Sequence, residues 1–164
     1  MNEVVKKFRI ETSKPYTTPM SSNTRMDVDE KGTEVDQRLY REIIGYLLYV
    51  AASRPDIIYS VCVCARFQVT PKESHFIVAK HILRYLKGTE DLCLFYPYEY
   101  PFDLVEYMDV DYAQCTIDRN NTSRMAQFLG PCLVSWASRR QATVALSTAE
   151  AEYVAATSCC AQLL

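Results

Sequence analysis

A change of hydrophobic period along the chain predicts an α+β fold. From Asp36 to Gly88 apolar residues recur every three or four positions, as on helices. From Leu92 to Ala137 they come in short alternating or aromatic runs, as in strands, and from Ser147 the helical spacing returns behind a capping pattern. With 49% hydrophobic and 23% charged residues among 164, the chain has the means for one ordinary domain or two small ones. The composition predicts a folded rather than a disordered chain, and a large multidomain enzyme is excluded.

Val4 to Ile10 reads as a short amphipathic piece. Between Ser13 and Thr33, Pro15, Pro19, Ser21, Ser22, Asn23 and Gly32 mark an extended linker or surface wrap. Asp36 caps the first helix, whose apolar positions are Leu39, Ile43, Leu47 and Val50, and Ser53 and Arg54 end it. Pro55 suits the first turn of a second helix with Ile57, Ile58, Val61, Cys62 and Ala65 as its packed face, so the two should form a hairpin. Thr70, with Glu73 at the capping-box offset, opens a third helix that carries Phe76, Ala79, Leu83 and Leu86 and stops at Gly88. Leu92–Tyr96, Leu104–Val110, Ala126–Leu129 and Leu133–Ala137 then suggest an antiparallel meander. Ser147 and Glu150 stand at capping-box spacing before a last helix from Thr148 to about Gln162.

The net charge is −2, with 18 basic and 20 acidic residues, which argues against a strongly basic, free-standing nucleic-acid binder while leaving a local basic face open. Seven cysteines without a C-x-x-C pair read as reduced thiols, and neither His75 nor His81 has a second metal ligand nearby. The N-terminus lacks the apolar stretch of a signal peptide, and Ile43 to Ala52 is too short to span a bilayer. An intracellular protein, cytoplasmic or nuclear, with no membrane partner is therefore expected. The sequons at Asn120 and Asn121 are then chance matches.

Three groups of residues carry potential chemistry. Asp109 and Asp111 flank Val110, so the two-residue period of a strand puts both carboxylates on one face, as a magnesium platform or as the polar end of a surface strand. Glu150 has a structural role as cap partner. Glu152, two positions further round the helix, is free to meet a strand carboxylate and is the better candidate ligand. Lys80, Arg84 and Lys87 make a basic stripe on the third helix that could follow a phosphate backbone or simply face solvent.

Read together, Leu39-Tyr40-Arg41 with Ile44-Gly45-Tyr46-Leu47-Leu48-Tyr49 and Ser53-Arg54-Pro55-Asp56-Ile57 resemble the Pol polyprotein of copia-type retrotransposons. The resemblance continues through Cys64-Ala65-Arg66-Phe67, Pro71-Lys72-Glu73-Ser74-His75, Leu83-Arg84-Tyr85-Leu86-Lys87-Gly88-Thr89, Ser135-Trp136 and Leu146-Ser147-Thr148-Ala149-Glu150-Ala151-Glu152-Tyr153. It implies an irregular tail of the reverse transcriptase region at 1–35, a helical connection segment at 36–90, and at 91–164 the truncated front of a ribonuclease H-like domain, a βββα unit. Such domains cut the RNA of an RNA/DNA hybrid with two divalent ions held by several carboxylates. The resemblance therefore implies Mg2+ as cofactor, Asp109 and Glu152 as catalytic metal ligands, Asp111 as a neighbouring acid, and an RNA/DNA hybrid or other Pol segments as partners. No Asp or Glu follows Glu152, so the chain alone is expected to be inactive. Glu106, Gln114 and Arg124 stand where the family pattern has glycine; damage to the turn after Asp111 and harmless surface variation both remain open. Apolar residues such as Val154 and Leu163, if left without cover, would favour self-association.

Overall fold

A computed structural model describes residues 8, 10, 12–21, 24, 26–99, 101–111 and 121–163. The chain divides into two compact units, Met1–Cys93 and Leu94–Leu164. The first is helical. Asp36 accepts hydrogen bonds from the Arg38 and Leu39 amides and so caps α1 (Gln37–Ala51), as its position predicts. The buried stripe of α1 is Tyr40, Ile43, Ile44, Leu47 and Ala51, a fraction of a turn round from the expected one: Leu39 and Val50 are only partly buried, at the rim. Pro55–Ile57 forms a 3-10 turn leading into α2 (Ile58–Ala65), and α1 and α2 pack together. The buried Tyr40 hydroxyl donates to the Cys64 carbonyl at 2.9 Å and ties the two helices.

The third helix, α3 (Glu73–Gly88), starts where expected but with a different cap. Lys72, not Thr70, is the N-cap residue, and its amide donates to His75 Nδ1 at 3.0 Å, while His75 Nε2 donates to the Asp27 carbonyl at 2.7 Å. The buried imidazole, stacked on Phe67, thus does the work expected of a capping carboxylate. Ala79, Ile82, Leu83 and Leu86 face a core shared with Tyr40, Ile43, Leu47, Ile57 and Val61.

One polar network fastens the connection between α1 and α2 to the end of α3. Arg54 donates to both carboxylate oxygens of Asp56 (2.9 and 2.7 Å) and to the Thr89 carbonyl and hydroxyl (2.9 and 2.7 Å). Tyr85 adds a hydroxyl bond to Asp56 at 2.7 Å. Burial alone would raise the Asp56 carboxyl, but the hydrogen bonds from Arg54 and Tyr85 outweigh it and hold the group below the usual carboxylate range.

In the second unit the meander appears with longer strands than predicted: β1 (Leu104–Asp111), β2 (Thr122–Leu129) and β3 (Cys132–Arg140), antiparallel in that order with β2 central. Leu92–Tyr96, expected as a strand, is not one; Tyr96 instead donates its hydroxyl to the Leu133 carbonyl at 2.8 Å. Gly130 turns β2 into β3 with φ 57, a region that glycine enters without a Cβ clash. Ser147 caps α4 (Thr148–Leu163) by accepting from the Glu150 amide at 3.2 Å, and the Glu150 carboxylate reaches back to the Leu146 amide at 2.7 Å. Ala151, Ala155 and Cys159, spaced by four, form the buried stripe of α4, which packs on β1 and β2. Val154 is half-buried; the Leu163 side chain lies outside the described residues. Several large apolar side chains of this unit are exposed, including Phe95, Tyr98, Phe102, Tyr107 and Tyr153. No helix among the described residues is long and apolar enough to cross a membrane.

Candidate functional site

Strand register decides what the acidic residues of β1 can meet. Asp109 pairs with Arg124 across the β1–β2 ladder and Asp111 with Thr122, so Asp109, Asp111 and Arg124 share one face of the sheet. Glu106, three residues before Asp109 and so half a strand period out of phase with it, pairs with Gln127 and points to the other face. That second face is the one under α4: the Cys159 thiol lies beside the Glu106 carboxylate, and Gln141 bridges the Ser123 hydroxyl (2.9 Å) and the Ala151 carbonyl (2.8 Å). Burial first, and then the Glu106 carboxylate, push the Cys159 thiol up to about 11.

The two expected platform residues are therefore together, and the third is not with them. Arg124 Nη1 lies 3.3 Å from Asp109 Oδ2, and Nη2 contacts Asp111 Oδ2. Glu152 is exposed on α4, the helix that covers the opposite face. Among the described residues no three His, Cys, Asp or Glu side chains gather into a group that could hold a metal ion. As arranged, these residues do not fit a magnesium centre, because the two carboxylates that share a face already hold a guanidinium. Of the three residues at expected glycine positions, Glu106 and Arg124 each extend a side chain into one of these arrangements, and Gln114 lies outside the described residues.

The basic stripe of α3 is engaged within its own unit. Arg84 donates to the Lys14 carbonyl (2.8 Å) and the Tyr16 hydroxyl (3.2 Å) and stacks over the Tyr16 ring, while Lys87 donates to the Ser13 carbonyl at 3.3 Å. Lys80 sits over the Phe76 ring at 4.3 Å. His81, stacked on Tyr16, contacts the Thr18 carbonyl at 3.0 Å. The segment 12–20 is thus a strap laid along α3, and a Cβ on Gly88 would meet Pro15 Cβ at 2.7 Å, so glycine there permits the close approach. Arg84 and Lys87 of the stripe thus hold the strap, and Lys80 rests on a ring of its own helix.

Gln141, buried at the junction of β3 and α4, is a positioning residue that sequence reasoning passes over. Beyond its bonds to Ser123 and Ala151, its side-chain oxygen accepts from the buried Asn121 amide at 3.2 Å. A glutamine after two arginines in a connecting segment carries no distinctive local signal. The burial of Asn121 fits the reading of its sequon as a chance match.

Comparison with known proteins supplies the lineage. The chain is 37% identical over 142 residues to the retrovirus-related Pol polyprotein from transposon RE1 of Arabidopsis thaliana, a match covering 87% of the chain and 10% of that protein. Over 166 residues it is 36% identical to the retrovirus-related Pol polyprotein from transposon TNT 1-94 of Nicotiana tabacum, covering 96% of the chain and 12% of the relative. Secreted RxLR effector protein 161 of Plasmopara viticola is 36% identical over 117 residues, covering 71% of the chain and 82% of that protein. The chain spans about a tenth of the length of the plant Pol polyproteins it matches. No protein-family model and no solved structure matches it. These matches over most of the chain show that it belongs to the copia-type retrotransposon Pol polyproteins.

Proposed function

We propose that residues 94–164 derive from the front of a ribonuclease H domain and residues 1–93 from the end of the reverse transcriptase with its connection helices. The ancestral activity is then cleavage of RNA in an RNA/DNA hybrid, with Asp109 and Glu152 as the inherited catalytic acids and Asp111 beside them. The observation that carries this reading is the β1-β2-β3-α4 order, with Asp109 in the first strand and Glu152 in the early turns of the helix that follows. The match to Pol polyproteins supports it.

Two-ion hydrolysis needs several carboxylates to hold the ions, activate water and stabilise the leaving oxygen. The described acids of this chain do not converge in that way, and no step is assigned to a bound metal. The chain by itself accordingly leaves the hybrid uncut. The assay is magnesium-dependent cleavage of labelled RNA in a hybrid, comparing the chain with Asp109→Asn and Glu152→Gln; cleavage lost in both variants would overturn the inactivity. The lineage is tested by extending the chain with the residues that follow the matched segment in the tobacco relative, with Arg124→Gly. Cleavage that Asp109→Asn and Glu152→Gln abolish is expected, and an extended, folded chain indifferent to both would overturn the ribonuclease H reading.

A further inference from the structure

We propose that Arg124 is the resident counter-cation of the Asp109–Asp111 pair and keeps it closed to divalent metal ions. The proposal stands on strand register and ion pairing, so it holds or fails independently of the ribonuclease H reading. Two carboxylates on one strand face repel each other, and a cation between them relieves that repulsion. Arg124 stands directly across from Asp109 and reaches diagonally to Asp111. Its guanidinium engages one oxygen of each carboxylate through separate nitrogens, a use of the planar fork that an ammonium cannot match.

Burial makes the contact more than a solvated surface pair on one side. The Asp111 side chain is 16% exposed and that of Arg124 37%, against 67% for Asp109. The Asp111 arm therefore carries most of the interaction, and the Asp109 arm is weakened by water. A metal entering this face must displace a group tethered by the backbone, which competes at high effective concentration. Magnesium, which dehydrates reluctantly and finds two carboxylates on this face among the described residues, is poorly placed to do so.

The test uses the full chain, Arg124→Ala and Arg124→Ala/Asp109→Asn, with Mn2+ as the probe, followed by loss of the free-ion electron paramagnetic resonance signal. Thermal unfolding with and without Mg2+, read from Trp136 in β3, is measured in parallel. Arg124→Ala should take up Mn2+ about tenfold more tightly than the wild type, the factor expected when a partly buried ion-pair competitor is removed. Mg2+ should raise the unfolding temperature of that variant and leave the wild type unchanged, and adding Asp109→Asn should abolish uptake. Equal uptake by wild type and Arg124→Ala would overturn the proposal, as would a folded Arg124→Ala that takes up none. Arg124→Gln, closer in volume, repeats the measurement should the alanine variant fail to fold.

Discussion

Replacing Arg54 by Met removes the guanidinium that joins the start of the 3-10 turn to the end of α3. Its side chain is 9% exposed and that of Asp56 24%, so the pair is largely withdrawn from water. Four hydrogen bonds go with it, two to Asp56 and two to Thr89. Deleting one member of a buried pair costs about 3–5 kcal/mol, chiefly because the other charge stays buried without its partner. Asp56 keeps some solvent and its Tyr85 bond, which places the expected loss near the lower end, about 3 kcal/mol. A unit of 93 residues has about 5–14 kcal/mol of stability to lose, so the variant should fold and unfold earlier. With a urea slope of about 1 kcal/mol/M, the midpoint falls by about 3 M. Far-UV circular dichroism follows the helices, and Trp136 fluorescence in the same titration follows the sheet. Asp56→Asn completes a double-variant cycle, with a coupling of about 2 kcal/mol expected for partners in one network. Because the folded Asp56 carboxyl is held below its free value of 3.8, its contribution is full above that value and is lost as pH falls through the folded one. The wild-type advantage over Asp56→Asn should therefore shrink below about pH 4. A loss under about 1 kcal/mol for Arg54→Met, or strictly additive single losses, would refute the reasoning, since only a solvated pair behaves that way.

Two helical glycines should respond in opposite senses to alanine. A Cβ on Gly45 meets nothing within 4 Å, so Gly45→Ala should raise the urea stability by about 1 kcal/mol, whereas on Gly88 it meets Pro15 and should lift the strap, seen as faster chymotryptic cleavage after Tyr16. Gln141→Ala removes bonds to Ser123, Ala151 and Asn121 at a buried junction and should cost the C-terminal sheet about 2 kcal/mol, read as a lower Trp136 unfolding midpoint. Iodoacetamide should reach the exposed Cys93 and Cys160 first and the buried Cys64 and Cys159 last, because burial, together with Cys62 in the first case and Glu106 in the second, pushes those thiols up to about 12 and about 11; peptide mass spectrometry gives the order.

Where apolar periodicity and capping chemistry act locally, the sequence read directly into structure. Asp36 and Ser147 cap the helices they were expected to cap, and β1 lies where alternation put it. The failures have long-range causes. Thr122, Ser123 and Arg124 are polar, so alternation found only the second half of β2; pairing with Asp111, Val110 and Asp109 makes the first half a strand. Leu92–Tyr96 has strand composition but no place in the β1-β2-β3 ladder. Lys72 and His75 form a cap that no propensity scale ranks well, because the ring is held from outside the helix by Asp27. In the candidate site, alternation correctly paired Asp109 with Asp111, but it could not reveal that a residue on the neighbouring strand occupies them, or which face α4 would cover.

The motifs that mark the lineage are largely the residues that hold the fold. Ser53-Arg54-Pro55-Asp56 and Leu83-Arg84-Tyr85-Leu86-Lys87-Gly88-Thr89 lie far apart in sequence and meet in one network: Arg54 binds Asp56 and Thr89, and Tyr85 closes the ring. Arg84, Lys87 and Gly88 fit the strap, and Tyr40 fastens α1 to α2. Each of these contacts is lost on substitution whether or not the protein turns over a substrate, so such motifs identify ancestry through stability. The acids on β1 answer to a different constraint. Their geometry depends on Arg124, a residue outside every one of those motifs, whose ion pairs with Asp109 and Asp111 lie within the sheet of the second unit. Stability and chemistry are thus separable in this chain, and the strength of the resemblance bears on the first far more than on the second.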